Sequence, residues 1–221
     1  MEMAIATMTK SKAPPALKEY QKKRNFEVTS EPSGASKTKP AAKSELLYVI
    51  QKHAATNLHY DFRLEWRGVL LSWAVPKGPS LDPSVKRLAT QVEDHPVDYG
   101  AFEGIIPEGE YGGGTVMLWD RGTWTPEVPD VDAALREGNL KFTLHGKKLR
   151  GSWVLVRTKS GFGGSKRPGW LLIKHRDRYA SSEDVLAKQR RSVTSKRLLA
   201  DIARDSHGNV AKAARADLVV A

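Results

Sequence analysis

Between residues 45 and 175 the apolar positions fall in short runs, and within most of them polar and apolar residues alternate. That two-residue period predicts half-buried β-strands. An apolar, β-prone run at 46–50 is followed by strand-like segments at 58–65, 69–75, 88–95, 115–121, 139–145, 151–158 and 169–175. Trp66-Arg67-Gly68 and Gly146-Lys147-Lys148 have the residue types of hairpin connections. One interior segment carries a helical signature: Asp130 caps 131–137 and Gly138 stops it. Eight short strands in about 130 residues argue for a barrel or sandwich and against alternating β/α units. The expected fold is mainly β: a compact barrel of about eight strands with few short helices, between basic, flexible N- and C-terminal tails.

Both flanks lose the alternation. Residues 1–43 are Pro/Lys-rich and interrupted by Pro14, Pro15, Pro32 and Pro40, apart from a short helical pattern around Leu17 and Tyr20. From Ser181 a charged, Ala-rich stretch takes over; Ser182-Glu183-Asp184 is a helix start, and 181–221 reads as a helical tail. The organisation is therefore a 1–43 tail, a 44–180 barrel and a 181–221 tail.

The chain has 221 residues, with 36 Lys+Arg against 25 Asp+Glu, a net charge of +11. Clustered positive charge favours nucleic acid. Its distribution tempers that inference. Residues 1–43 hold nine Lys+Arg and four Asp+Glu, and 181–221 hold eight and five, whereas 44–180 is nearly balanced at 19 and 16. The absence of Cys excludes a disulfide scaffold, a Cys-ligated zinc site and a cysteine nucleophile. No run approaches the ~18–20 apolar residues of a membrane span, and no basic leader precedes a long apolar run. A soluble cytoplasmic, nucleoid-associated protein is expected.

The segment with chemistry in it is Gln51-Lys52-His53, then Asn57-Leu58-His59-Tyr60-Asp61-Phe62-Arg63-Leu64. On a strand, Leu58, Tyr60, Phe62 and Leu64 share one face, and His59, Asp61, Arg63 and Glu65 the other. A solvated face of an amphipathic strand accounts for that alternation. So does a site: His59 and Asp61 offer a nitrogen and a carboxylate to one point, and His53 is a third donor. Two imidazoles and one carboxylate with open positions suit Mn, Fe or Zn better than Ca or Mg. Arg63 supplies a fork for a phosphate. In Gln91-Val92-Glu93-Asp94-His95, alternation places Gln91, Glu93 and His95 on one face, with Tyr99 close behind. His95 is either a phosphate-site group, able to protonate a leaving oxygen, or a turn residue before Pro96. Gly112-Gly113-Gly114 lacks the ending of a P-loop and reads as a hairpin bend. The six Trp read as core or barrel-end aromatics, and His145, His175 and His207 as structural.

These motifs resemble the phosphoesterase domain of bacterial ligase D, a family of non-homologous end joining. The resemblance rests on Gln51-Lys52-His53…Leu58-His59-Tyr60-Asp61-Phe62-Arg63-Leu64, on Ser72-Trp73-Ala74-Val75-Pro76-Lys77-Gly78-Pro79 and on Val92-Glu93-Asp94-His95-Pro96. Glu103-Gly104-Ile105-Ile106-Pro107-Glu108-Gly109-Glu110-Tyr111-Gly112 adds to it, and the similarity spans roughly residues 20–179. With no polymerase or ligase module in the sequence, the likeness is to the stand-alone form. It implies a Mn2+-dependent enzyme that removes a 3′-terminal ribonucleoside to leave a 3′-phosphate, then hydrolyses that phosphate to a 3′-hydroxyl. By position it implies His53, His59 and Asp61 as metal ligands and Arg63, His95 and Tyr99 as the phosphate site. Lys77, Arg87 and Glu93 match further functional positions. Lys23-Arg24-Asn25-Phe26 and Glu31-Pro32 resemble an N-terminal family segment, which adds Arg24 and Glu31. Asn25 stands where the family has Asp; if that carboxylate serves the phosphatase step, this chain is weak in it. Nucleic-acid 3′ ends, Ku and an end-joining DNA ligase are the implied partners. The competing readings are a non-catalytic end-binding or recruiting module and a general basic DNA-coating protein.

Overall fold

The structure, a computed structural model, describes residues 17–34, 45–159 and 169–218. Ten strands form one antiparallel sheet: β1 Leu46–Ala54, β2 Leu58–Trp66, β3 Val69–Val75, β4 Lys86–Gln91, β5 His95–Pro96, β6 Gly104–Ile106, β7 Gly114–Pro126, β8 Asn139–Gly146, β9 Arg150–Arg157 and β10 Trp170–Lys174. The order β1-β2-β3-β4-β10-β9-β8-β7 is closed by pairing of β7 with β1, giving an eight-stranded barrel. Closure removes the exposed edges of an open sheet. The two-residue β5 adds to β3, and β6 adds to the outer end of β7.

Period-2 alternation builds the interior. Tyr48, Ile50, Tyr60, Phe62, Leu64, Trp73, Trp119, Trp124, Phe142 and Trp153 fill it, all buried. The barrel therefore closes around side chains and leaves no channel. The β2–β3 hairpin turns through Arg67 and Gly68, both at positive φ, as the right-handed twist of the strands requires. Helix α2, Val131–Glu137, begins where Asp130 accepts from the Ala133 amide and ends at Gly138 in the left-handed region.

Two features depart from the sequence reading. The strand expected over 88–95 stops at Gln91; the Val92 amide still bonds the Ser72 carbonyl, and then Glu93 and Asp94 leave the sheet. His95 and Pro96 rejoin it at the opposite end of β3, opposite Leu70 and Val69. The charged C-terminal stretch is not a free helical tail. It forms three short helices, α3 Val185–Lys188, α4 Leu199–Asp205 and α5 Val210–Leu218, after α1 at Lys18–Lys22. Leu186, Leu199, Ile202, Ala203 and Ala213 bury themselves in the main core. Sparse apolar residues at helical spacing suffice when the barrel supplies the other surface. No helix among the described residues is long and apolar enough to cross a membrane.

A second, smaller apolar cluster lies outside the barrel wall. Tyr20, Leu70, Tyr99, Phe102, Ile106 and Val116 join segments 17–34 and 97–106 to the outer face of β1, β3 and β7. The polar outer positions of β1 and β2 are thereby placed under a roof.

Candidate active site

The register of three strands assembles the centre. His53 lies opposite His59 and Gln51 opposite Asp61 across β1–β2; Arg63 lies opposite Ser72 and Asp61 opposite Ala74 across β2–β3. With Tyr60 and Phe62 committed to the interior, these side chains face outward, and His53, His59, Asp61, Arg63 and Ala74 line a cavity of 240 Å3 beneath the N-terminal segment.

His53 Nδ1 is 3.5 Å from Asp61 Oδ2, and His59 Nε2 is 3.6 Å from Asp61 Oδ1. One donor atom from each of the three falls within 4.8 Å of the others. The second ring nitrogens are occupied: His53 Nε2 donates to the Gly112 carbonyl at 2.8 Å, and His59 Nδ1 to the Asn57 carbonyl at 3.0 Å. Each imidazole therefore presents a lone pair toward Asp61, the tautomer that metal ligation needs. The donor set fits a divalent transition ion with open positions. Burial pushes the Asp61 carboxyl up, but the charge of the Arg63 guanidinium, foremost among its neighbours, holds it well below the usual carboxylate range. Burial lowers His59, offset only in part by Asp61, which keeps its ring neutral.

Arg63 is 2% exposed and fully engaged. Its Nε donates to Gln51 Oε1 at 2.9 Å and its Nη1 to Ser72 Oγ at 2.8 Å, while Nη2 lies 3.3 Å from Asp61. The Tyr99 ring packs 4.9 Å from the guanidinium carbon. Beside it, His95 Nδ1 donates to the Glu93 carbonyl at 2.9 Å and Nε2 accepts from Arg24 Nη2 at 3.2 Å. Burial, then the charges of Arg63 and Arg24, hold His95 well below its ordinary value. With these partners it is a neutral acceptor, not a proton donor.

Arg24 is the keystone of the roof. It donates to Glu31 at 2.9 Å, to Glu93 at 3.2 Å and to the Tyr20 carbonyl at 3.1 Å, and it lies 3.8 Å over the Tyr20 ring. Glu31 also accepts from the Tyr99 hydroxyl and from Thr29 Oγ1, each at 3.0 Å. Glu31→Ala leaves the buried Tyr99 hydroxyl and Arg24 short of an acceptor. It is expected to cost about 1–3 kcal/mol in chemical denaturation and to loosen the roof.

Not every expected residue lines this cavity. Lys77 is exposed just beyond β3, and Arg87 is half-buried on β4, its Nε buried without a hydrogen-bond partner among the described residues. Asn25 is exposed; its Oδ1 accepts from the Glu27 amide in a local turn, a task an Asp oxygen performs equally well. Conversely, Gln51, Ser72 and the Gly112 carbonyl hold the centre although no role was read for them. Only the strand register reveals them, since each acts through a partner distant in sequence.

An outer barrel face that buries a metal-ligand cluster against arginines defines a candidate metal-dependent enzyme of anionic substrates. Residues 51–157 match the profile of the DNA ligase D 3′-phosphoesterase domain. The domain belongs to that family. The chain is 53% identical over 186 residues to the multifunctional non-homologous end joining protein LigD of Pseudomonas aeruginosa, covering 83% of this chain and 22% of the relative. It is 44% identical over 142 residues to the LigD repair protein of Mycobacterium tuberculosis H37Rv, covering 64% and 18%. With LigD of Mycolicibacterium smegmatis it shares 39% over 163 residues, 72% and 20%. The chain thus spans about a fifth of the length of these curated relatives.

Proposed function

We propose that the domain heals 3′ ends of nucleic acid, removing a terminal ribonucleoside and then a 3′-phosphate to leave a 3′-hydroxyl. One observation carries the reading: a His53/His59/Asp61 cluster with both imidazole lone pairs turned inward, beside a buried Arg63. An ion such as Mn2+ held by these three residues supplies Lewis-acid stabilisation of phosphate oxygens. Arg63, fixed by Gln51 and Ser72, and Arg24, fixed by Glu31, present preorganised charge to the phosphate and need no reorganisation as charge develops. His95, whose Nε2 accepts from Arg24, steadies that guanidinium at the phosphate site. The neutral ring it presents argues against the alternative role of general acid. Tyr99 orients Glu31 and packs on Arg63. Lys77 and Arg87, outside the cavity, contact the strand beyond the terminal nucleotide. In a cell the partners are 3′ ends, with Ku and an end-joining DNA ligase, and the place of action is the nucleoid.

The test uses two primer–templates, one ending in a ribonucleotide and one in a 3′-phosphate, each incubated with Mn, Mg or chelator. Both strands are expected to yield 3′-hydroxyl ends with Mn and neither with chelator. Loss of the phosphate reaction alone would return Asn25 to the chemistry. Retarded migration without end processing under any metal would favour a non-catalytic end-binding module. Mn affinity should be level at pH 7–8, because His59 sits below its ordinary value. It should fall only at more acidic pH, below the ordinary histidine value, where protons begin to compete for the His59 ring. Titrating Mn across pH 5–8 checks the direction.

A further inference from the structure

The end of the barrel where β8 turns into β9 carries a feature that the 3′-end chemistry does not use. Asp120 is buried there and accepts from the amides of Arg121, Lys147, Lys148 and Leu149 at 2.9–3.0 Å. Its charge is spent on the backbone of the turn, leaving the Lys147 side chain exposed and unpaired. Lys148 folds back 4.3 Å over Trp119, and its Nζ donates to the carbonyls of Gln189 and Arg191 at 2.8 and 2.6 Å. That ties the loop after α3 to the turn.

The loop is ordered in its own right. The Val193 amide bonds the Leu118 carbonyl at 3.0 Å, the Ser192 amide bonds Arg197, and buried Ser192 Oγ accepts from Thr194 and Ser195. Arg190, Arg191 and Lys196 are consequently exposed around a cavity of 380 Å3. A second cavity, of 450 Å3, shares Lys147 and adds Arg150 and Arg178. No Asp or Glu lines either one. Lys188 pairs with Glu183, and Arg197 with Glu103 and Asp205. The other seven cations lining them have no carboxylate in ion-pair contact among the described residues.

Like charges held together by an ordered loop repel one another unless a ligand supplies the counter-charge. An extended row across two cavities suits repeating phosphates better than a single ion. Its aromatic rings are already taken: Trp119 lies under Lys148, and Tyr179 under Arg178 at 4.8 Å. Neither of these two rings is open as a base-stacking platform, which favours contact to the backbone, independent of sequence. The loop that carries part of the row is joined through β7 to the strand that bears His53. Leu118, on which Val193 docks, lies opposite Gln51, which holds Arg63 and is two residues from His53.

We propose that this basic row grips the sugar-phosphate backbone of the duplex whose 3′ end enters the cavity. The assignment deepens the end-healing reading and rests on it. The test is the full chain carrying Lys147→Gln, Arg178→Gln and Arg190→Gln together, three exposed positions spanning both cavities. Binding of a 24-base-pair DNA duplex and of an RNA–DNA hybrid is measured across a salt series. Three lost phosphate contacts should lower the slope of log affinity against log salt by roughly 2–3 and weaken binding on the order of 10–100-fold at low salt. Processing of a four-nucleotide strand with a 3′-terminal ribonucleotide should be unchanged. A drop with either duplex supports the row and names the backbone it takes. An unchanged slope with both, or equal loss on the short strand, overturns it. Should no substrate be processed by the unmodified chain while the slope still falls, the end-healing reading fails and the row stands.

Discussion

His59→Ala is expected to abolish Mn-dependent 3′-end processing, with turnover down by a thousandfold or more, about 4 kcal/mol of transition-state stabilisation. The side chain is 22% exposed, and its partners are the Asn57 carbonyl and Asp61, so no buried core is opened. Melting without metal should therefore stay close to that of the unmodified protein. The metal response should not. Mn at a hundred times its dissociation constant adds about 2.7 kcal/mol to the folded state, a rise of roughly 5–10 °C for a chain of this size. The variant should lose that rise together with its activity. Near-native turnover with an intact Mn-dependent rise would remove His59 from the ligand set.

The alternation along 58–64 was enough to separate Tyr60 and Phe62 from His59, Asp61 and Arg63, because period 2 is a local property of a strand. The Asp130 and Gly138 signals around α2 were legible for the same reason. What alternation leaves open is which outer faces meet solvent. The outer face of β1–β2 is covered by Tyr20, Tyr99 and Phe102, which come from segments more than 25 residues away. Long-range packing of that kind has no periodic signature. The break after Gln91 was hidden as well. Val92 still bonds Ser72, so the local pattern continues for one residue after the strand has ended. The C-terminal helices misled through composition, since their charge is genuine but Leu186, Leu199, Ile202, Ala203 and Ala213 are buried in the main core.

Arg63→Ala is the second large effect, and it separates two ways of losing activity. The guanidinium is the buried counter-charge of Asp61 and the partner of Gln51 and Ser72. Removing it strands a carboxylate in a low-dielectric site, a change that costs about 3–5 kcal/mol when one member of a buried pair is deleted. Melting should fall by roughly 10 °C, where His59→Ala leaves it in place. Asp61, no longer held ionised by its neighbour, should take up a proton at higher pH, so Mn affinity should fall more steeply on acidification than in the unmodified protein. Arg63→Lys sharpens the contrast. A single ammonium can restore the charge opposite Asp61, yet it cannot reproduce the planar fork that reaches Gln51 and Ser72 at once. Most of the lost melting temperature should return with Lys, while turnover remains down by about a hundredfold. Recovery of both together would mean that Arg63 acts through charge alone and that its orientation by Gln51 and Ser72 is without consequence for the chemistry.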